Sequence, residues 1–129
     1  MDFSDVRQRA LLLARGRIVV GLVLLVLPGV AVRLLFGRSA STPASRTFAR
    51  LMGARDVVLG IGAVTTVKER TLDAEWVSSG AAADGVDAVA MLLTPGIPVR
   101  TRLGAAVSAG AAVLGVHAAR AIADERATA

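Results

Sequence analysis

Apolar residues run along this chain in four long blocks, separated by short polar or proline-containing stretches. Ser4-Asp5 can cap a first helix, and the apolar pattern then extends from Ala10 to Leu27. Pro28-Gly29 follows and should end or sharply kink that helix, because proline lacks an amide hydrogen and clashes with the preceding turn. The charge-free stretch Ile18 to Leu27 is too short to span a bilayer. The helix therefore extends back past Arg15 and Arg17, giving a span of about 8–27, or continues to Phe36. Val30 to Phe36 carries Arg33 among leucine and phenylalanine and reads as a short amphipathic piece at an interface.

Gly37 to Ser41 is a polar break, and Thr42-Pro43 starts the next helix, with proline at its first position. Arg46 and Arg50 fall at headgroup level, and the second span covers about 46–67, closed by the charged loop Lys68 to Glu75. Trp76 opens the third span, 76–94, at a position that suits indole. Pro95-Gly96-Ile97-Pro98 is a turn. Arg100 and Arg102 lead into the fourth span, 103–123, in which the 17 residues from Leu103 to Ala119 carry no formal charge. Each block has the length a helix needs to cross roughly 30 Å of hydrocarbon. The expectation is an all-α fold: a four-helix transmembrane bundle with a short interfacial helix after the first span, in one domain over 1–129.

The acids Asp2 and Asp5 fit a cleaved signal peptide badly, so the first block reads as an uncleaved span. Four spans put both termini on one side. Arg7, Arg9, Arg15, Arg17, Lys68, Arg70, Arg120 and Arg126 lie there, against Arg33, Arg38, Arg46, Arg50, Arg100 and Arg102 on the other. Eight against six favours cytoplasmic termini. The two halves share no repeat, so an inverted-repeat transporter gains no support.

Composition sharpens this picture. Hydrophobic residues make up 54%, yet aromatics only 3%, with no tyrosine. The apolar mass is Val, Leu, Ala and Gly, which suits close helix packing in lipid. Mean hydropathy is +0.63, and the charged fraction of 19% lies below the roughly 25% of soluble domains. A net charge of +5 could suggest nucleic acid. The arginines instead punctuate apolar segments without interleaved aromatics, so no nucleic-acid partner is expected. Without cysteine there are no disulfides and no thiolate metal sites. His117 stands alone, so no metal is expected either. No Ser–His–Asp order, glycine-rich phosphate loop or HExxH is present, and the DxxD of Asp84 to Asp87 lacks a metal-binding partner motif. The chain reads as no enzyme and as needing no cofactor.

The informative residues are Arg55, Asp56, Asp84 and Asp87, with Arg17 behind them. Ionisable groups at membrane depth are costly, so they face the bundle interior and pair. Asp84 and Asp87 are three apart and share a helix face, which Met91 continues. If the second and third spans form a hairpin turning near Leu72, the residue level with Arg55 is 89. Asp87 is two residues away, about 3 Å along the axis, so an Arg55–Asp87 ion pair is feasible. Asp84 lies nearer the terminal side, within reach of Arg17. Arg55 and Asp56 point about 100° apart, so Asp56 needs a different partner, an arginine or a hydroxyl. Such pairs can fix helix register, or they can form a polar site for protons, ions or headgroups.

Small residues mark the packing faces. Gly104, Ser108 and Ala112, with Ala105 and Ala109, recur four apart on the last helix and permit tight contact, within the chain or between copies. Gly60 and Gly62 read the same way. Ser78-Ser79 and Thr65-Thr66 suit bonds to their own helix carbonyls.

The segment Leu51-Met52-Gly53-Ala54-Arg55-Asp56-Val57-Val58-Leu59-Gly60, the segment Ala83-Asp84-Gly85-Val86-Asp87-Ala88 and a first span ending at Pro28 together resemble a group of small four-helix membrane proteins of actinobacteria, a group of unknown function. The bias to arginine over the single Lys68, with abundant alanine, fits a high-GC genome of that kind. The resemblance implies an inner-membrane bundle with those charges as its hallmark, and implies no chemistry. Two functions follow as expectations. One is a non-catalytic accessory or structural subunit of a larger membrane assembly, its partners the lipid bilayer and another membrane protein or itself as a homo-oligomer. The other is a small ion-coupled transporter in which Arg55, Asp84 and Asp87 line a polar path.

Overall fold

Proline, glycine and short polar runs divide the described residues into five α-helices. In the computed structural model, which describes residues 3–69 and 74–128, these are α1 (Phe3–Val26), α2 (Pro28–Phe36), α3 (Pro43–Glu69), α4 (Glu75–Leu93) and α5 (Val99–Thr128). A 3₁₀ turn, Arg38–Ala40, joins α2 to α3. There is no strand among the described residues, so the architecture is all-α. The side chains of Ser4, Asp5 and Arg126, the turn near Leu72 and Arg70 lie outside what is described.

Each break has a local cause. Pro28 cannot donate a helical hydrogen bond, and Leu27 leaves helical geometry at φ −120° and ψ 46°. Pro28 then serves as the first residue of α2, whose axis turns 105° from that of α1. The short helix is thereby laid across one end of the bundle. Gly37 ends it at φ 102°, in the left-handed region open to glycine. The polar break expected at Gly37 to Ser41 holds one ordered 3₁₀ turn.

The start of α3 is capped reciprocally. Ser45 N–H donates to Thr42 Oγ1 at 3.2 Å, and Thr42 N–H donates to Ser45 Oγ at 2.9 Å, with Pro43 at the first helical position. At the far end of α2, the Leu35 carbonyl accepts Thr101 Oγ1–H at 2.5 Å and Arg100 Nε–H at 3.2 Å. These bonds satisfy an end-of-helix carbonyl and pin α2 to the first turn of α5. Thr101 is fully buried. Helix α5 begins at Val99 and runs beyond Ala123, outside the apolar stretch 103–123, because polar residues can prolong a helix that apolar ones have started.

Packing is closest between α1 and α3 and between α4 and α5. Glycine permits the first of these. A Cβ at Gly21 would lie 2.7 Å from the Gly53 carbonyl oxygen, and one at Gly53 would lie 2.5 Å from that of Gly21. Lower down, a Cβ at Gly60 would meet Ile18 Cγ1 at 2.6 Å and the Ala14 carbonyl at 2.9 Å. Gly62 is covered by the Trp76 ring. The small-residue face of α5 is used inside the chain. Gly104 faces Met91, Ala112 faces Gly85, Ser108 lies half-buried between them, and Gly115 abuts Ala81.

The interior is therefore lined by small side chains. One cluster, toward the chain termini, gathers Val6, Ala10, Ala14, Ala63, Val67, Val77, Ala118, Ala119 and Ile122. Large aliphatics point outward instead: Leu12, Leu93, Val99 and Val107 are each about three-quarters exposed. By length and composition one helix, over Val99–Glu125, could cross a membrane, or two if α1 and α2 are counted as one bent span. In α3 and α4 the charges Arg55, Asp56, Asp84 and Asp87 and the many small residues pull hydropathy down.

Substituting Gly53 by alanine should push α1 from α3 and cost about 1–3 kcal/mol. Gly110→Ala, where an added Cβ meets nothing within 4 Å, should be neutral or gain up to about 1 kcal/mol of helix preference. Thermal unfolding followed by circular dichroism separates the two. Equal midpoints would show that the close α1–α3 contact is absent.

Candidate functional site

Five charged side chains from three helices meet halfway along the bundle. Arg17 comes from α1, Arg55 and Asp56 from α3, Asp84 and Asp87 from α4. Arg17 lies 14 residues after Phe3 and nine before Val26, about 21 Å and about 13 Å from the two ends of α1 at 1.5 Å per residue.

Arg17 is the central cation. Its Nη1 donates to Asp56 Oδ1 at 3.2 Å, and its Nη2 donates to Asp84 Oδ2 and to the Gly80 carbonyl at 2.8 Å. Gly80 makes room for this. A Cβ there would stand 3.4 Å from the Arg17 Nε, so the absence of a side chain lets the guanidinium rest against the α4 backbone. Arg55 forms a two-pronged pair with Asp87, Nη1 to Oδ1 at 3.2 Å and Nη2 to Oδ2 at 2.6 Å. It also donates through Nε and Nη2 to Asp56 Oδ1, at 3.3 and 3.1 Å.

The result is an alternating chain, Asp84–Arg17–Asp56–Arg55–Asp87. Asp56 Oδ1 accepts from both guanidinia and joins the two halves. Asp56 is the most buried acid of the set, at 8% exposure, while the Arg55 side chain remains 35% exposed at the edge. Three carboxylates against two guanidinia leave one formal negative charge. Beside Arg17 and Asp84 lies a cavity of about 30 Å³, also lined by Ala14, Trp76, Gly80 and Gly115. That is room enough for a water molecule.

The remaining singled-out residues stand apart from this cluster. His117 is exposed on α5, and among the described residues no group of three or more metal-binding side chains forms. Gly60 packs against Ala14 and Ile18, Gly104 against Met91 and Ala112 against Gly85, with half-buried Ser108 between the last two on α5. Ser78 Oγ donates back to the Glu75 carbonyl at 2.9 Å.

Sequence reasoning missed a second ionic contact. Arg7 Nη2 donates to both carboxylate oxygens of Glu125, at 2.9 and 2.8 Å, and Arg7 Nη1 donates to the Val67 carbonyl at 3.5 Å near the end of α3. This ties the first turns of α1 to the last turns of α3 and α5. The signal was available, since antiparallel α1 and α5 place Arg7 and Glu125 at one end.

Replacing Arg17 by glutamine strips a charge partner from both Asp56 and Asp84, and should cost about 3–5 kcal/mol, the usual penalty for breaking a buried pair. Arg55→Gln should cost less, because that side chain is a third exposed. The double variant Arg55→Asp with Asp87→Arg should recover part of the loss seen in either single change. Thermal midpoints of the parent and these five variants, the two single charge reversals included, read this order, and an Arg17→Gln protein as stable as the parent would remove the network from the account of stability.

No family model matches the chain, and no curated protein or solved structure is similar to it.

Proposed function

We propose that this chain is a multi-pass protein of the cytoplasmic membrane, in which α1, α3, α4 and α5 cross the bilayer, α2 lies at its surface and both termini are cytoplasmic. Within that frame it acts as a non-catalytic accessory or structural subunit of a larger membrane assembly, with another membrane protein or its own copies as partner. The observation that carries the reading is the inverted distribution of side chains. Alanine, glycine and ion pairs make up most of the inside, with four valines and Ile122 among them, while among the described residues no leucine or phenylalanine is buried and most valines point outward. Water would favour the opposite order, and monomeric soluble proteins seldom expose contiguous apolar area on this scale. Lipid removes the drive to bury large aliphatics, leaves close packing of small residues to hold helices together, and forces charges inward to pair.

Dimensions agree with this. On α3, exposed Arg50 and Lys68 are 18 residues apart, and on α5 so are exposed Arg102 and Arg120. Each interval is about 27 Å of helix, close to the roughly 30 Å of a hydrocarbon core. On α1, exposed Arg9 and Arg15 lie toward the terminal end, which a long arginine stem can reach by snorkelling.

The subunit role follows from how the interior charges are used. Among the described residues every buried side-chain nitrogen and oxygen has a hydrogen-bond partner, so the network locks three helices in register. A second reading, an ion-coupled carrier, draws on the odd carboxylate and the water-sized cavity beside Arg17 and Asp84.

Two measurements test the proposal. The chain should stay with membranes through an alkaline carbonate wash, and a monodisperse chain in buffer without detergent would overturn the membrane reading. Gentle detergent extraction should then recover it in a stoichiometric complex. If instead it is recovered alone, and reconstituted vesicles show a proton or cation flux that the Arg55/Asp87 charge reversal abolishes, the carrier reading takes its place.

A further inference from the structure

We infer that the bundle end formed by α2, the Arg38–Ala40 turn and the first turns of α3 and α5 binds the phosphate of an anionic phospholipid, with Arg33 and Arg46 as its ligands. This rests on the membrane placement proposed above.

The first support is charge. Arg33, Arg38, Arg46, Arg50, Arg100 and Arg102 are all exposed at this end. No aspartate or glutamate occurs from residue 6 to 54 or from 88 to 123, the stretches that build it. The opposite end mixes both signs, with Arg7, Lys68 and Arg120 beside Glu75, Asp124 and Glu125.

The second support is geometry. Gly29, in the first turn of α2, lies under two guanidinium groups at once. A Cβ built on it would be 3.3 Å from Arg46 Nε and 3.6 Å from Arg33 Nη2. Each arginine is held by neutral oxygens. Arg33 Nε donates to the Gly29 carbonyl at 2.8 Å, and Arg46 donates through Nε to Ser41 Oγ at 3.1 Å and through Nη2 to the Ser41 carbonyl at 3.4 Å. Among the described residues neither forms an ion pair. The fold thus brings two cations together with no carboxylate between them. A phosphate oxygen pair is the complement that guanidinium forks match best.

The third support distinguishes a lipid from a free anion. The same short helix exposes Val30, Leu34, Leu35 and Phe36 beside Arg33, and it lies across the bundle end. Acyl chains would cover those apolar groups while the phosphate sits between the arginines. An inorganic phosphate would leave them uncovered.

The test uses the full chain in detergent, titrated with phosphatidylglycerol or phosphatidylcholine and read by native mass spectrometry as the lipid retained. Phosphatidylglycerol should be retained in preference to phosphatidylcholine. The double variant Arg33→Gln, Arg46→Gln should weaken that retention roughly thirtyfold, two basic side chains each counting for about fivefold. Arg120→Gln, at the far end, should leave it unchanged. A thermal midpoint matching the parent shows that the variant is folded, and Arg33→Lys with Arg46→Lys, which keeps charge and removes the forks, should fall between. Equal retention by parent and double variant would overturn the site. Displacement of phosphatidylglycerol by millimolar inorganic phosphate would overturn its assignment to a lipid. Either result in a chain that still needs detergent leaves the membrane placement standing, whereas a chain soluble without detergent removes that placement first.

Discussion

A guanidinium group held away from bulk water must find anions at the distance and angle its planar fork demands, and Arg17 meets that demand by drawing on two other helices. Asp56 arrives from α3 and Asp84 from α4, and the Gly80 carbonyl takes a further donor. Much else in the molecule follows from this requirement. Three helices must approach within side-chain reach of one point, and their register along the axis is fixed to within a turn. The alternation of sign along Asp84–Arg17–Asp56–Arg55–Asp87 leaves every member beside an opposite charge. Arg17, Asp56 and Arg55 each take part in two ion pairs, and Asp84 and Asp87 in one each. Of the three inner members Arg17 and Asp56 are the more buried, which makes them the sensitive positions.

Close approach is the second half of the same constraint. Gly21 and Gly53 set the α1–α3 separation near the cluster, and Gly60 sets it a few turns lower. On the other side, Gly115 and Ala81 do the same for α4 and α5. An interior filled with leucine would hold the helices apart and leave Arg17 short of Asp84. Small residues inside leave the large aliphatics nowhere to go but outward, so the apolar exterior and the ionic interior are two consequences of one packing solution.

Much of this is written locally in the chain, and that part was legible. Pro28-Gly29, Thr42-Pro43 and Pro95-Gly96 mark breaks by their own backbone chemistry, and helices end or begin at each of them. Equal distance from a hairpin turn placed Asp87 near the level of Arg55, and the structure pairs them. The partner of Asp56 stayed open because the choice depends on helix rotation, and both Arg17 and Arg55 prove to reach it. Rotation also hid the meeting of Arg33 and Arg46, which depends on the 105° turn after Leu27. Polar residues continue α5 beyond its apolar run 103–123, so that run does not mark the helix ends. The series Gly104, Ser108, Ala112 could equally have faced another copy, and only the fold shows it against α4.

A helix that contributes charges to a shared interior network scores as polar, although its outward face is apolar. The same network has one carboxylate more than it has guanidinia, and exposed arginines flank it on both sides: Arg15, two residues before Arg17, toward the termini, and Arg50 toward the arginine-lined end. Arg50 is five residues from Arg55 on α3, about 7.5 Å along the axis. At an effective dielectric near 20, opposite unit charges about 15 Å apart attract by roughly 1 kcal/mol, and solvent around exposed arginines reduces this. Six such arginines at one end and mixed signs at the other therefore bias the potential inside the bundle along its axis. The acid-free end and the acid-rich centre are best understood together, as one charge arrangement in which the positive end helps to hold a negative core.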